Sequence, residues 1–210
     1  MIIEPITLEG VRVRLEPLAT GHLNALCEFA LDEPLWRWMP HVVRTRSDLE
    51  DYIRASLQAQ GAGTALPFAT LERASGRVVG STRYMNIDRL HRRTEIGGTF
   101  VAPRWQRTFV NTEAKYLMLK YAFEKWGCIR VEFKTDSLNE RSRSALLRIG
   151  AKQEGIFRNH MIMPGGRVRH SVYYSILDSE WPAVKQDLTM KLHRESAFLP
   201  ITTPSTQPQD

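Results

Sequence analysis

The sequence predicts a single α+β domain. Its 210 residues suit one mixed domain that can bury most of the surface its unfolded chain exposes. A hydrophobic content of 42% with five Trp, six Tyr and eight Phe is that of a core-forming chain. Three strand-like runs follow one another from Ala65 to Val101, and helical and strand patterns then alternate as far as Ile176.

The elements follow in order. Val11-Arg12-Val13-Arg14-Leu15 alternates apolar and basic residues, as a half-buried strand does, and is expected to open the sheet. Thr20 or Gly21 can cap a helix carrying Leu23, Leu26, Cys27 and Ala30, and Ser47-Asp48-Leu49-Glu50 matches a capping box before a helix reaching about Gln60. Between them Trp36 and Trp38 lie in a proline-bounded segment, read either as a pocket wall that touches substrate or as packing of a helix hairpin. Strands are expected over Ala65 to Glu72 and Arg77 to Ile87, turning at Ser75-Gly76-Arg77, and over Thr94 to Val101. A helix follows on Ala114, Leu117, Met118, Tyr121 and Ala122, then a strand at Arg130 to Thr135 and a helix from Asn139 to Ile149 ended by Gly150. A hairpin then runs from Gln153 to Met163, turns at Pro164-Gly165-Gly166 and returns through Val168, His170, Val172, Tyr174 and Ile176. A short helix from about Asp178 closes the domain, residues 1–188, and the polar, proline-bearing residues 189–210 read as a flexible extension.

Two cysteines, Cys27 and Cys128, have neither metal-ligand spacing nor a disulfide framework, so no metal is expected and a reducing compartment suits the chain. The first residues lack a basic segment with a long apolar core, and no run of about 18 apolar residues occurs, so a cytoplasmic protein without a membrane partner is expected.

The segment that carries chemistry runs from Glu95 to Lys115, where a strand passes through a basic, proline-marked turn into a helix. Such a turn presents unpaired N–H groups and the positive end of the helix dipole, a seat for a phosphate, and Gln106, Arg107, Thr108 and Asn111 add side-chain donors. Trp105-Gln106-Arg107-Thr108-Phe109-Val110-Asn111-Thr112-Glu113-Ala114-Lys115 resembles the acyl-coenzyme A pyrophosphate loop of the GNAT superfamily of N-acetyltransferases, closest to its RimJ/RimL-like, ribosomal-protein-alanine acetyltransferase-like branch. Asn139-Glu140-Arg141-Ser142 and Arg148-Ile149-Gly150-Ala151 add to the likeness, which spans roughly Val11 to Leu188. Thr108 and Val110 stand where that loop usually has glycine.

The resemblance implies a GNAT fold, a mixed and mostly antiparallel sheet whose central strands splay apart beside acetyl-CoA. It implies direct acetyl transfer from that cosubstrate to a primary amine, either a protein N-terminus or a small molecule. It assigns coenzyme contacts to the main chain at Phe100 and Val101, to Gln106 through Thr112, and to Asn139 and Ser142. Glu95 matches the general-base position, with a strand-edge carboxylate paired to Arg92, Arg93 or Arg83 as the alternative. Leu146 stands where many relatives place an acid tyrosine, which leaves Ser142, one turn earlier, to assist the departing thiolate. His160 and His170 lie on the hairpin that borders the acceptor cleft in this fold, and are candidates for substrate contact. A non-catalytic acyl-CoA-binding regulator stays open as a rival. So does an RNA- or ribosome-associated protein using Arg89-Leu90-His91-Arg92-Arg93, although a polyanionic coenzyme accounts for a net charge of +6 without nucleic acid. A homodimer is left open.

Overall fold

The computed structural model describes residues 1–197. The strands are β1 (Leu8–Glu9), β2 (Val13–Pro17), β3 (Ala65–Glu72), β4 (Val78–Asp88), β5 (Arg93–Val101), β6 (Arg130–Asp136), β7 (Lys152–Ile162) and β8 (Val168–Leu177). The helices are α1 (Leu23–Ala30), α2 (Arg46–Gly61), α3 (Phe109–Glu124), α4 (Glu140–Arg148) and α5 (Trp181–Ala197). All eight strands form one sheet in the order β1-β2-β3-β4-β5-β6-β8-β7. Among the described residues, β5 and β6 run parallel and every other neighbouring pair antiparallel. The architecture is the expected α+β one.

Alternation along each strand divides the core between two faces. Leu15, Phe68, Tyr84, Ile96, Val131, Phe133, Val172, Tyr174 and Ile176 pack with Val110, Met118 and Leu119 of α3, Leu146 of α4 and Leu188 of α5. On the opposite face Ala69, Leu71 and Phe100 pack with Leu26 and Ala30 of α1, Leu49, Tyr52 and Ile53 of α2, and Trp36. Each fully buried large side chain contributes roughly 1.5–3 kcal/mol. Helices α1 and α2 cover the β3–β4 side of that second face, while the odd-numbered residues of β8 and the even-numbered residues of β6 present polar groups there.

The structure corrects several boundaries. The sheet opens with β1, two residues at the edge paired to β2 through Leu8 and Leu15, too short to show alternation in sequence. A tight turn at Thr20–His22 precedes α1, and the His22 ring, through Nδ1, accepts the Ala19 N–H at 3.0 Å, so neither Thr20 nor Gly21 is the cap. The capping box before α2 is Thr45 with Asp48, two residues upstream of the expected start: Thr45 Oγ1 accepts from Asp48 N at 3.1 Å and Asp48 Oδ2 accepts from Thr45 N at 2.9 Å. Helix α5 continues beyond Leu188 to Ala197, with Lys191 Nζ donating to the Arg148 carbonyl at 2.6 Å, so residues 189–197 are helical; residues 198–210 lie outside the described residues.

Candidate active site

The site is built where β5 leaves β6. Their parallel pairing holds at Arg93–Arg130, Thr94–Val131 and Glu95–Glu132 and stops there, which leaves the β6-facing edge of β5 from Ile96 to Val101 without a strand partner. Pairing of β5 with β4 is broken by a bulge: Arg83 opposes Gly97 and Ser81 opposes Phe100, so two residues of β5 face one of β4. Gly98 in that bulge has φ +58°, and a Cβ on it would stand 2.8 Å from Arg83 Nε. The bulge also reverses the facing of β5, so that Glu95 and Gly97 point to the half-open polar face, Thr99 toward α3, and Phe100 back among α1 and α2.

Beyond β5 the chain makes a tight turn at Pro103–Trp105 and enters α3. The left-handed residue there is Arg107, at φ +59°, rather than Thr108 or Val110 where the usual glycines would stand. Its guanidinium is exposed and has no hydrogen-bond partner among the described residues. Thr108 is the N-cap: its hydroxyl donates to the Trp105 carbonyl at 2.8 Å and accepts from Val110 N at 3.4 Å. Gln106 Nε2 donates to the Val101 carbonyl at 3.1 Å, so this side chain braces the turn from within. Asn111 Oδ1 is buried and accepts from no group among the described residues. Phe109 carries the Arg12 guanidinium over its ring at 4.0 Å, and Thr112 is buried, accepting from Arg148 Nη2 at 3.3 Å. Across the parting, Asn139 caps α4 by accepting the Ser142 N–H at 3.1 Å, while no described group bonds to the Ser142 hydroxyl.

Glu95 is buried on the polar face. Its Oε2 accepts from Asn86 Nδ2 at 2.8 Å and from Lys134 Nζ at 3.1 Å, and Oε1 accepts from no described group. The pairing expected with Arg92, Arg93 or Arg83 does not occur: Arg93 is drawn to Asp88 and Glu132, and the partner is Lys134 on the neighbouring strand. Gly97 keeps room for this carboxylate, since a Cβ there would lie 3.2 Å from Oε1.

Beside Glu95 the polar face continues onto β8 and β7. Ser171 Oγ is shared by His160 Nδ1 at 3.0 Å and Arg169 Nε at 2.9 Å, and the His160 ring packs edge-on to Tyr173 and Phe157. Burial lowers the His160 pKa, and Lys134 and Arg169 push it the same way. His170 is exposed, with Nδ1 accepting from Asn159 N at 2.8 Å, and together with Phe157, Arg158, Asn159 and His160 it lines an open pocket at the β7–β8 bulge. The two tryptophans part. Trp36 is a core residue, packed on Phe100 and Tyr52 with Nε1 donating to the Ala30 carbonyl at 2.6 Å, which corrects its reading as a pocket wall. Trp38 is half-buried, its carbonyl held by Arg169 Nη1 at 3.2 Å and its ring 5.4 Å from the Arg167 guanidinium carbon.

Sequence reading missed Lys134, Arg169, Asn86, His41 and Lys115. Lys134 and Arg169 sit in strand patterns that explain themselves by alternation, so only the register that sets them beside Glu95 and His160 marks them. Cys128 is buried and its thiol is pushed up to about 11 by burial, which makes it a poor nucleophile. Among the described residues no group of three or more His, Cys, Asp or Glu could hold a metal ion, and no helix is long and apolar enough to cross a membrane.

Comparison with known proteins adds a family. The acetyltransferase (GNAT) domain matches residues 12–152. The Bacillus subtilis protein named "Putative ribosomal N-acetyltransferase YdaF" is 33% identical over 111 residues, which cover 52% of this chain and 59% of that protein. Among solved structures, a GCN5-related N-acetyltransferase from Brucella melitensis superposes with a TM-score of 0.84 at 35% identity, covering 90% of this chain and 86% of that one. RimJ from Mycobacterium smegmatis, solved in complex with CoA-disulfide, shares the fold with a TM-score of 0.78 at 21% identity, covering 89% of this chain and 95% of that one.

Proposed function

We propose, because this chain belongs to the acetyltransferase (GNAT) family, that it transfers an acetyl group from acetyl-CoA to a primary amine by direct transfer in a ternary complex. The observation that carries this reading is the parting of β5 from β6 just after Glu95, beside the N-terminus of α3. The residues present fit the cosubstrate. The Arg107 guanidinium and the first N–H groups of α3 form a seat for a diphosphate, the open edge of β5 at Phe100 and Val101 offers backbone groups to an amide-bearing arm, and the buried Asn111 Oδ1 awaits a donor. Asn139 acts there through its cap, which orients the first turn of α4 and the Ser142 hydroxyl.

Acetyl-CoA, when bound, supplies the activated acyl group: the N–C bond forms as the C–S bond breaks, and the electron pair leaves on sulfur. Glu95 Oε1 takes the proton of the amine, while Asn86 and Lys134 hold Oε2 and fix the carboxylate's orientation. Ser142 donates toward the departing sulfur in place of the tyrosine replaced by Leu146, a residue buried against α3 and the sheet. Cys128 is unfit for an acyl-enzyme, which favours direct transfer. The YdaF name, a putative ribosomal N-acetyltransferase, supports a ribosomal amine among the acceptors to be tested.

The test combines calorimetric titration with acetyl-CoA and thiol release across small amines and N-terminal peptides. Binding together with amine-dependent thiol release is the expected result. Thiol release indifferent to every amine would support a non-catalytic coenzyme-binding role instead, and absence of coenzyme binding would overturn the proposal.

A further inference from the structure

On the strength of the acetyl-transfer reading above, we propose that the acceptor is an amine carrying a carboxylate a few bonds away, and that the Arg169 guanidinium receives that carboxylate. Arg169 is only 4% exposed, yet its hydrogen bonds go to neutral oxygens alone: Nε to Ser171 Oγ at 2.9 Å and Nη1 to the Trp38 carbonyl at 3.2 Å. No described group accepts from Nη2. The acids of β5 and β6 on this face are already engaged. Glu95 is bound to Lys134, Glu132 to Arg93 and Arg130, and Asp136 to Arg167 and the Leu138 N–H. Asp136 and Glu95 act on this guanidinium only from a distance, each bonded to another cation, and an incoming carboxylate that bonds it directly recovers part of the cost of its burial on binding.

A second cation stands on the far side of Glu95. Arg83, on β4 opposite Gly97, donates from Nη1 to Ser56 Oγ at 3.4 Å and lies 5.7 Å from the Tyr52 ring centroid, and its buried Nε has no acceptor. It too lacks an acid. Two histidines register the resulting field from opposite flanks. Burial lowers the pKa of each, and the neighbouring cations lower it further, Arg83 for His41 and Lys134 with Arg169 for His160, where Glu95 opposes them. Such a field does two things to an acceptor. It disfavours the ammonium form of an amine that must arrive neutral to attack, and it draws in an attached anion. The same field repels a polycation, so polyamines and aminoglycoside-like amines fit this cleft poorly.

Position agrees with charge. Along β8, Tyr173, Ser171 and Arg169 point to one face at successive two-residue steps, each about 7 Å. Tyr173 is opposite Lys134, which reaches Glu95, and the bond from Arg169 Nε to Ser171 folds the guanidinium back toward Tyr173. Base and anion site thus lie along one polar face, on β5 and β8, with Lys134 and Tyr173 between them.

The experiment measures kcat/KM by thiol release for paired acceptors differing only as acid and amide. The pairs are free glutamate and glutamine, and peptides starting with Asp or Asn, or carrying them second; spermidine stands as the polycation. The acid of at least one pair is expected to exceed its amide by about ten- to a hundredfold, mainly through KM, and the pair that shows it separates a free amino acid from a peptide. In Arg169→Gln that ratio should fall toward one, and Arg169→Lys should restore part of it, which a merely structural loss would not do. Should Arg169→Gln fail to fold, the wild-type acid-to-amide ratio still decides. Amides acetylated as well as acids, spermidine preferred, or a ratio unmoved in Arg169→Gln would overturn the inference while leaving acetyl transfer intact. No thiol release with any acceptor would overturn both.

Discussion

Lys115 gives a prediction whose size follows from its surroundings. It is buried on α3, and its ammonium finds two hydroxyls, Thr99 at 2.7 Å and Thr82 at 3.1 Å, and no carboxylate among the described residues. Burial lowers its pKa to about 7 from an ordinary 10.5. The folded chain therefore releases this proton more readily than the unfolded chain, so between those two values the unfolded state binds more protons and stability rises with pH. Each unit of pH in that window adds up to about 1.4 kcal/mol from this group, less near pH 7 where the folded ammonium is half titrated, hence about 2 kcal/mol between pH 7 and pH 9. Cys128 acts with the opposite sign, because its thiol is pushed up from 9.0 to about 11 and stability from it is lost only above the lower of those values. The window from pH 7 to pH 9 is thus where Lys115 dominates. Lys115→Met keeps the length of the side chain, removes the charge, and leaves Thr82 and Thr99 bonded to each other at 2.8 Å. Urea unfolding at pH 6, 7, 8 and 9 should show a rising midpoint in the wild type and, from pH 7 to pH 9, a nearly flat one in Lys115→Met, with the variant the more stable at pH 6; below pH 7 the lowered His41 and His160 add the same rise to both proteins. Parallel pH profiles in the two proteins would refute the reasoning.

Glu95→Gln should lower kcat by roughly 10²–10⁴ with little change in acetyl-CoA affinity; wild-type turnover would place the base elsewhere, with His160 next. Arg107→Ala should weaken acetyl-CoA binding by about ten- to a hundredfold in calorimetry while the melting temperature holds, since that guanidinium supports nothing in the fold. Gly98→Ala should cost about 1–2 kcal/mol or more in urea unfolding, because φ is +58° and the new Cβ meets Arg83 Nε at 2.8 Å. An unchanged midpoint there would mean that the bulge relaxes freely.

Strands β3 to β6 and helix α3 were legible because each carries a local signature: alternation, a glycine turn at Gly76, or apolar residues at helical spacing. What escaped was set at long range. Helix α3 buries Thr112, Glu113 and Lys115 along with its apolar stripe, since it is covered on several sides, and no amphipathic pattern reports that. The Thr45 cap was hidden behind a competing Ser47 match, which only the Thr45–Asp48 geometry resolves. In the same way Glu95 could be chosen from sequence as the residue where the strand begins, but its partner could not: Lys134 is 39 positions away and reaches it across a parallel register. Trp36 and Trp38 look equivalent in sequence, and two residues of turn send one into the core and leave the other half-buried beside Arg169.

The bulge at Gly98 joins these observations. Without it, Thr99 would share the face of Glu95 and Gly97, and Phe100 would leave its place against Trp36 and Tyr52. With it, Gly97 leaves the Glu95 carboxylate uncrowded, Thr99 turns to Lys115 on the helix that begins at the Arg107 turn, and Phe100 locks the strand to α2. The helix that starts the anion seat and the strand that bears the base are thereby tied, beyond the apolar packing of Ile96, by the hydrogen bond from Lys115 to Thr99, at the point where β5 has already lost β6 as a partner. A strand edge freed of its neighbour tends to fray, so the ammonium–hydroxyl cluster and the Phe100 packing do for this segment what a ladder does elsewhere. That gives a physical reason to keep a lysine where an apolar residue would be more stable: Lys115→Met removes the tie along with the charge, so hydrogen exchange at the amides of 97–101 should quicken in that variant even as its global stability at pH 6 rises.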